Sequence, residues 1–229
     1  MNRQFPFASG EIYHCYNRGV DKRQIFMDTH DYERFLMLLY ACNSRTPIHL
    51  SSLNQSNIQG PTLNRVLEIE RGEPLVDLFV YCLMPNHPQL IMRERDGNGV
   101  TSFMRKVGTG YTMYFNLKYE RTGALFSGTF KARHIDSDQY LERATHYVHA
   151  NPAELVEPHW KEGRVGDSRG LEKFLREYRF SSLPDYEAEG RPESKILDRT
   201  FLRENIQRPI SIEELLRQAP DFYSRCDLE

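Results

Sequence analysis

Hydrophobic positions along the chain alternate between two spacings, and each spacing predicts an element. Glu11 to Arg18 (EIYHCYNR) is rich in aromatics and closes on Asn17-Arg18-Gly19, which predicts a strand ending in a turn. From Asp28 to Asn43, Phe35, Leu36, Leu38, Leu39 and Ala41 oppose a charged side, the pattern of an amphipathic helix. Residues 44–64 are polar and contain Pro47, Gly60 and Pro61, predicting a loop or insertion. Leu75 to Met84 (LVDLFVYCLM) is a nearly unbroken apolar run, as a central strand would have. Pro85-Asn86 then turns the chain, His87 to Arg93 (HPQLIMR) returns as a strand, and Gly97-Asn98-Gly99 follows as a loop.

Thr101 to Tyr119 predicts a long helix carrying Phe103, Met104, Val107, Tyr111, Tyr114 and Phe115, with Gly108 and Gly110 working against it. Ala124 to His134 is loop and strand. Ser137 opens a helix over Asp138 to Ala150, and Asn151-Pro152 closes it. The order β-α-β-β-α-β-α predicts an α+β fold: a ferredoxin-like antiparallel sheet with helices on one face. The remainder predicts a mainly helical and irregular C-terminal extension. Leu171 to Tyr178 and Ser211 to Gln218 are helical, the second with a Ser211/Glu214 capping box, and Pro184 to Pro192 is a linker.

The chain has 229 residues, 39% hydrophobic and 27% charged, which bounds it to a soluble protein of one large domain or a domain with an extension. No apolar run approaches the length of a membrane helix, and Met1 to Gly10 lacks the apolar stretch of a signal peptide. Cys15, Cys42, Cys82 and Cys226 are far apart and form no CxxC pair, so they are expected as reduced thiols. A net charge of -2 argues against non-specific coating of DNA. The charge is uneven, however. Between Val100 and Asp136, Arg105, Lys106, Lys118, Arg121, Lys131 and Arg133 face only Glu120 and Asp136, while acids outnumber bases after Pro152. That distribution suits a local groove for a polyanion, or equally a solvated helix face.

Three groupings can carry chemistry. His87 and Gln89, two apart on a strand, point the same way and offer an imidazole nitrogen and an amide oxygen to a divalent ion. A lone turn histidine is also common as a structural residue. Tyr147 and Asn151, four apart on a helix, share a face, and a phenol is suited to reversible attack on a phosphodiester because its phenolate can leave again. With 13 tyrosines present, a buried core aromatic is the competing account. Tyr111, Tyr114 and Tyr119 interleave with Arg105, Lys106 and Lys118, a pattern for stacking on unpaired bases or for an aromatic core stripe. Asp77 and Glu142 are further carboxylates without an assigned role.

In order, YHCYNRGVDKRQIF (13–26), VYCLMPNHPQLIM (80–92), YTMYFNLKYERTGALFSGTFKARHID (111–136) and YLERATHYVHANP (140–152) resemble the single-tyrosine transposases of the His-hydrophobe-His type. The nearest resemblance is to their REP-associated branch. It covers roughly residues 9–155, with a weaker match through RFSSLPDY (179–186). The resemblance implies a catalytic domain over residues 1–155 and an extension over 156–229. It implies a Mg²⁺- or Mn²⁺-dependent enzyme that nicks and rejoins single-stranded DNA folded as a REP-type palindromic hairpin, through a 5′-phosphotyrosine.

By position it makes Tyr147 the nucleophile and His87, Gln89 and Asn151 the metal ligands. Arg18, Arg105, Lys106, Tyr114, Lys118, Lys131 and Arg133 are the expected DNA contacts. A monomer or homodimer in the cytoplasm, associated with the nucleoid and not with a membrane, is expected. One departure stands out: the second motif histidine is replaced by Gln89, and Pro88 sits where an aliphatic is usual. The departure predicts weak metal affinity. It opens an alternative, a hairpin-binding protein weakened or inactive in cleavage. Pro88, lacking a backbone donor, also fits an edge or bulge better than a central strand.

Overall fold

The computed structural model describes residues 6–46, 48, 50, 61–187 and 190–205. Ser211 to Gln218 and Cys226 lie outside the described residues. Among the described residues, four strands, β1 (Ile12–Tyr16), β2 (Val76–Met84), β3 (His87–Glu94) and β4 (Lys131–Ile135), form one antiparallel sheet in the order β2-β3-β1-β4. Inserting β3 between β1 and β2 is the ferredoxin-like arrangement expected from the element order. The helices are α1 (Thr29–Cys42), α2 (Leu63–Leu67), α3 (Gly99–Lys118), α4 (Asp138–Ala150), α5 (Ser168–Glu177), α6 (Leu183–Glu187) and α7 (Thr200–Asn205).

Alternation along the strands divides the core in two. Tyr13, Cys15, Leu90 and Met92 enter one layer with Phe35, Leu39, Phe103, Val107 and Tyr111 of α1 and α3. Ile91 and Ile135 enter another with Leu141, Ala144, Tyr147 and Val148 of α4. A bulge between Leu78 and Val80 shifts the register of β2. It sends Leu78, Tyr81 and Leu83 to the first layer and Phe79, Val80, Cys82 and Met84 to the second. The expectation of helices on one face therefore holds for α1 and α3 but not for α4, which covers the opposite face. Its apolar stripe answers the second set of inward-pointing strand residues, which would otherwise face water.

The apolar run of β2 is also corrected: β2 is an edge strand, not a central one. It is buried at every position because the extension seals its open side. Leu83 N–H donates to Phe180 O (2.9 Å), Ser182 N–H donates to Tyr81 O (2.9 Å), and Asp198 N–H donates to Leu78 O (2.8 Å). The predicted linker Pro184 to Pro192 is in part this seal. Leu183–Glu187 is helical, Asp185 is buried, and Tyr186 Oη donates to Phe79 O (2.6 Å).

Pro88 is accommodated without distortion. It pairs with Leu83, whose N–H points outward to Phe180, so the two do not exchange ladder hydrogen bonds. The missing donor of Pro88 would point toward β1 beyond its last pair, Tyr16 with Gln89, where the ladder has ended.

α3 begins at Gly99, inside the segment read as a loop, because buried Glu94 organises its first turn. Glu94 Oε1 accepts from the N–H groups of Asp96 (3.1 Å), Gly97 (3.1 Å) and Gly99 (2.9 Å), and Oε2 accepts from Val100 (2.9 Å). A Cβ at Gly99 would lie 2.0 Å from Leu75 O, so the turn requires glycine there. Gly110 is under a milder constraint: a Cβ there would come within 3.1 Å of the Leu38 side chain at the α1–α3 contact. Glu94→Gln leaves four donors facing an amide that accepts through one oxygen only. We expect a loss of about 2–3 kcal/mol in urea unfolding, with α3 the first helix to lose hydrogen-exchange protection.

Candidate active site on the second face of the sheet

Strand pairing and one helix bring the central residues together. His87 and Gln89 alternate onto the face of β3 that α4 covers, and the diagonal neighbour of Gln89 on β1 is His14. α4 starts at Ser137, whose Oγ caps Tyr140 N–H (3.3 Å), and its buried side carries Tyr147 down over the same face. Gln89 Nε2 lies 3.0 Å from His87 Nε2 and 3.5 Å from Tyr147 Oη, and Gln89 Oε1 lies 3.1 Å from His14 Nε2. The rings of His14 and Tyr147 meet edge to face with centroids 6.0 Å apart. His87 and Tyr147, sixty positions apart in sequence, thus face one site bridged by Gln89.

The amide orientation goes with one set of tautomers. As the amide is oriented, Nε2 donates to His87 Nε2, so His87 carries its proton on Nδ1 and donates to Asn86 Oδ1 (2.6 Å). His14 in turn must carry its proton on Nε2 to donate to Gln89 Oε1. Burial favours the neutral form of both rings. It lowers His87 to about 3, with Arg18, Lys161 and His14 pushing the same way. His14 falls to about 4 through burial, against the Gln89 hydrogen bond and with help from Arg133. Neutral imidazole is the ligating form. The same cations make the site positive, which suits a phosphate.

Asn151 lies one turn beyond Tyr147, where α4 runs on into a short 3₁₀ turn over Asn151–Leu155. It is buried, and its Nδ2 makes no hydrogen bond among the described residues. The structure therefore joins His87, Gln89 and Tyr147 by contacts, while Asn151 follows one turn on with an unused buried amide. His14 was not singled out from the sequence. The only signal was a histidine at the alternate positions of an aromatic strand, and nothing in the pattern told which strand it would face.

The expected DNA contacts divide between the two faces. Lys131 and Arg133 pair in register with Tyr16 and His14 and share the site's face. Arg18 follows β1, and its buried Nε makes no hydrogen bond among the described residues. Arg105, Lys106, Tyr114 and Lys118 sit on α3, across the sheet. There Lys118 Nζ bridges Asp28 (2.8 Å) and buried Asp31 (2.7 Å), Tyr114 Oη donates to Asp31 (3.0 Å), and Lys106 Nζ donates to Ser44 O (3.2 Å). The interleaved aromatics and bases of α3 thus tie α1 to α3, with Arg105 and the ion-paired Lys118 exposed. Asp77 is held by Arg93 and Arg95, and Glu142 is exposed on α4.

The spacing of the pair, though not the present orientation of the amide, suits a divalent ion. Two ligands at right angles with bonds of about 2.1 Å stand about 3 Å apart, the separation of His87 Nε2 from the Gln89 amide. Turning that amide end for end would present Oε1 beside the imidazole lone pair. Every donor is neutral, and among the described residues no three His, Cys, Asp or Glu side chains cluster for a metal.

No protein-family model and no curated protein matches the chain. A solved structure does: a REP-associated tyrosine transposase bound to a REP hairpin. It aligns at a TM-score of 0.52 and 11% sequence identity over 83% of this chain and 87% of that one. The chain has the fold of a tyrosine transposase. The alignment takes in more than residues 1–155 could supply, so this transposase-like fold includes part of the extension. Among the described residues, no helix is long and apolar enough to cross a membrane.

Proposed function

We propose that this chain binds hairpin-forming single-stranded DNA and breaks and rejoins it through Tyr147. The observation that carries the reading is the convergence of a phenol, an imidazole and an amide within hydrogen-bonding distances on one positively flanked face. The transposase-like fold, whose solved counterpart holds a REP hairpin, supplies the substrate class.

In this reading Arg18, Lys131 and Arg133 hold backbone phosphates, and Tyr147 Oη attacks the scissile phosphorus. The new Oη–P bond replaces the P–O3′ bond, leaving the 5′ phosphate on the protein as a phosphotyrosine, and the phenol proton ends on the released 3′-OH. Rejoining is the reverse attack, with the phenolate leaving. The phosphate-ester bond energy stays in the adduct, so no nucleotide cofactor is consumed. The buried site excludes competing water from the adduct. His87 and Gln89, with Asn151 one turn beyond Tyr147, would hold Mg²⁺ or Mn²⁺, which supplies polarisation of the phosphate and charge neutralisation.

A second reading has a specific observation in its favour: Gln89 turns Nε2, not Oε1, toward His87. If the amide stays so, the protein holds the hairpin without cutting it. Incubating the protein with a 3′-labelled hairpin oligonucleotide and Mn²⁺ separates the two. A denaturation-resistant protein–DNA adduct supports the first reading; hairpin binding that is indifferent to metal, without adduct, supports the second.

Arg18→Ala is expected to weaken hairpin binding uniformly across sequences. It should lower the slope of log affinity against log salt by about 1, measured by fluorescence anisotropy at several salt concentrations. An unchanged slope would remove Arg18 from the phosphate contacts.

A further inference from the structure

We propose that His14 is a positioning residue that sets which end of the Gln89 amide faces His87, and so whether the pair can take a cation. The inference rests on reading His87 and Gln89 as metal ligands. It starts from the polarity of the hydrogen-bonded row His14–Gln89–His87–Asn86, with separations of 3.1, 3.0 and 2.6 Å.

In the observed polarity each member donates outward: His14 Nε2–H to Gln89 Oε1, Gln89 Nε2–H to His87 Nε2, His87 Nδ1–H to Asn86 Oδ1. The His87 lone pair is occupied by an amide proton, so no ion can approach it. Turning the amide frees that lone pair and sets Oε1 beside it, a pair of acceptors that repel each other until a cation sits between them. The inner end of the amide then presents Nε2–H to His14, which must now accept.

Gln89 is 2% exposed and His14 1%, so the inner end is shut off from bulk solvent in either orientation. A neutral imidazole can do so in both, because its single proton can occupy either ring nitrogen. A side chain able only to donate would hold the amide in the closed orientation, and an apolar one would satisfy neither. The ring is held for this task between Tyr16, with centroids 5.4 Å apart, and Tyr147. The residue that the chain carries in place of a second histidine thus has a histidine behind it, on the neighbouring strand.

The test uses the full chain, His14→Phe, and His14→Gln, whose amide reaches a similar position and can also donate or accept. In metal-free protein, ¹⁵N spectra should show His14 protonated on Nε2, His87 protonated on Nδ1, and a coupling across the hydrogen bond from the Gln89 side-chain nitrogen to His87 Nε2. Both variants should keep that coupling without metal, because the His87 lone pair still selects the amide proton, and the metal titration separates them.

Mn²⁺ titration followed by electron paramagnetic resonance should give affinity at least about tenfold weaker for His14→Phe and within about threefold of wild type for His14→Gln. Wild type that binds Mn²⁺ with His14→Phe unchanged overturns the role of His14 and leaves the ligand pair standing. Wild type that takes up no Mn²⁺ overturns the ligand pair, and the amide turn with it.

Discussion

Tyr147→Phe is expected to abolish covalent capture of the hairpin, with the rate of adduct formation falling by about a thousandfold or more. The variant is a clean one. The ring fills the layer between α4 and the sheet beside Val148 and Ile91, and phenylalanine keeps that packing. Gln89 Nε2 lies 3.5 Å from the phenol oxygen, a long contact whose loss costs little. Unfolding free energy should therefore stay within about 1 kcal/mol of wild type. Hairpin affinity should stay within about twofold, since the proposed phosphate contacts are untouched. Adducts persisting in Tyr147→Phe, mapped by peptide sequencing to another tyrosine, would move the nucleophile elsewhere and end the mechanism proposed here.

Mild acid is expected to destabilise the protein through its buried histidines. His14 and His149 are fully buried. Burial lowers His14 to about 4 and His149 to about 3, the latter with His146 adding to the shift. In the unfolded chain both titrate near 6.5. Between 6.5 and the lowered values the unfolded chain binds more protons, so stability drops as pH falls through that window. By pH 5 each ring costs about 2 kcal/mol.

His87 adds less in proportion to its partial exposure. Asp185 works the other way: burial raises it to about 6, so its protonation on acidification returns about 1 kcal/mol. The net loss from pH 7 to pH 5 is about 3 kcal/mol, read as a shift in urea midpoint. His149→Gln, which lies outside the site and can keep a hydrogen bond to Ser182 Oγ, should reduce that pH dependence by about 2 kcal/mol. A flat profile from pH 7 to pH 5 in wild type would mean that these rings already reach solvent.

What the sequence made legible were the features decided locally. The bounds of α4 follow from a serine cap and an Asn-Pro stop, and the structure has them at the predicted residues. The two-residue turn at Pro85-Asn86 and the facing of His87 with Gln89 follow from strand alternation. What remained hidden depended on distant partners. An unbroken apolar strand reads as central whether its second neighbour is a strand or, as here, a piece of the extension more than ninety residues on. Basic residues on α3 read as phosphate contacts because nothing local reveals that Asp28 and Asp31 sit opposite Lys118. His14 escaped notice because its value lies in Gln89, seventy-five positions away.

The seal along β2 has a consequence for any shortened form of this protein. A version stopped at Leu155 would retain every residue of the proposed chemistry, yet it would bare a nine-residue apolar strand with its hydrogen-bonding groups open on one side. Such a margin recruits the matching margin of another molecule. Shortening the protein by deleting its last third would thus make sticky, self-stacking sheets. The segment Phe180–Ser182 acts as a built-in guard against this, and no excision that removes it preserves a well-behaved solution species.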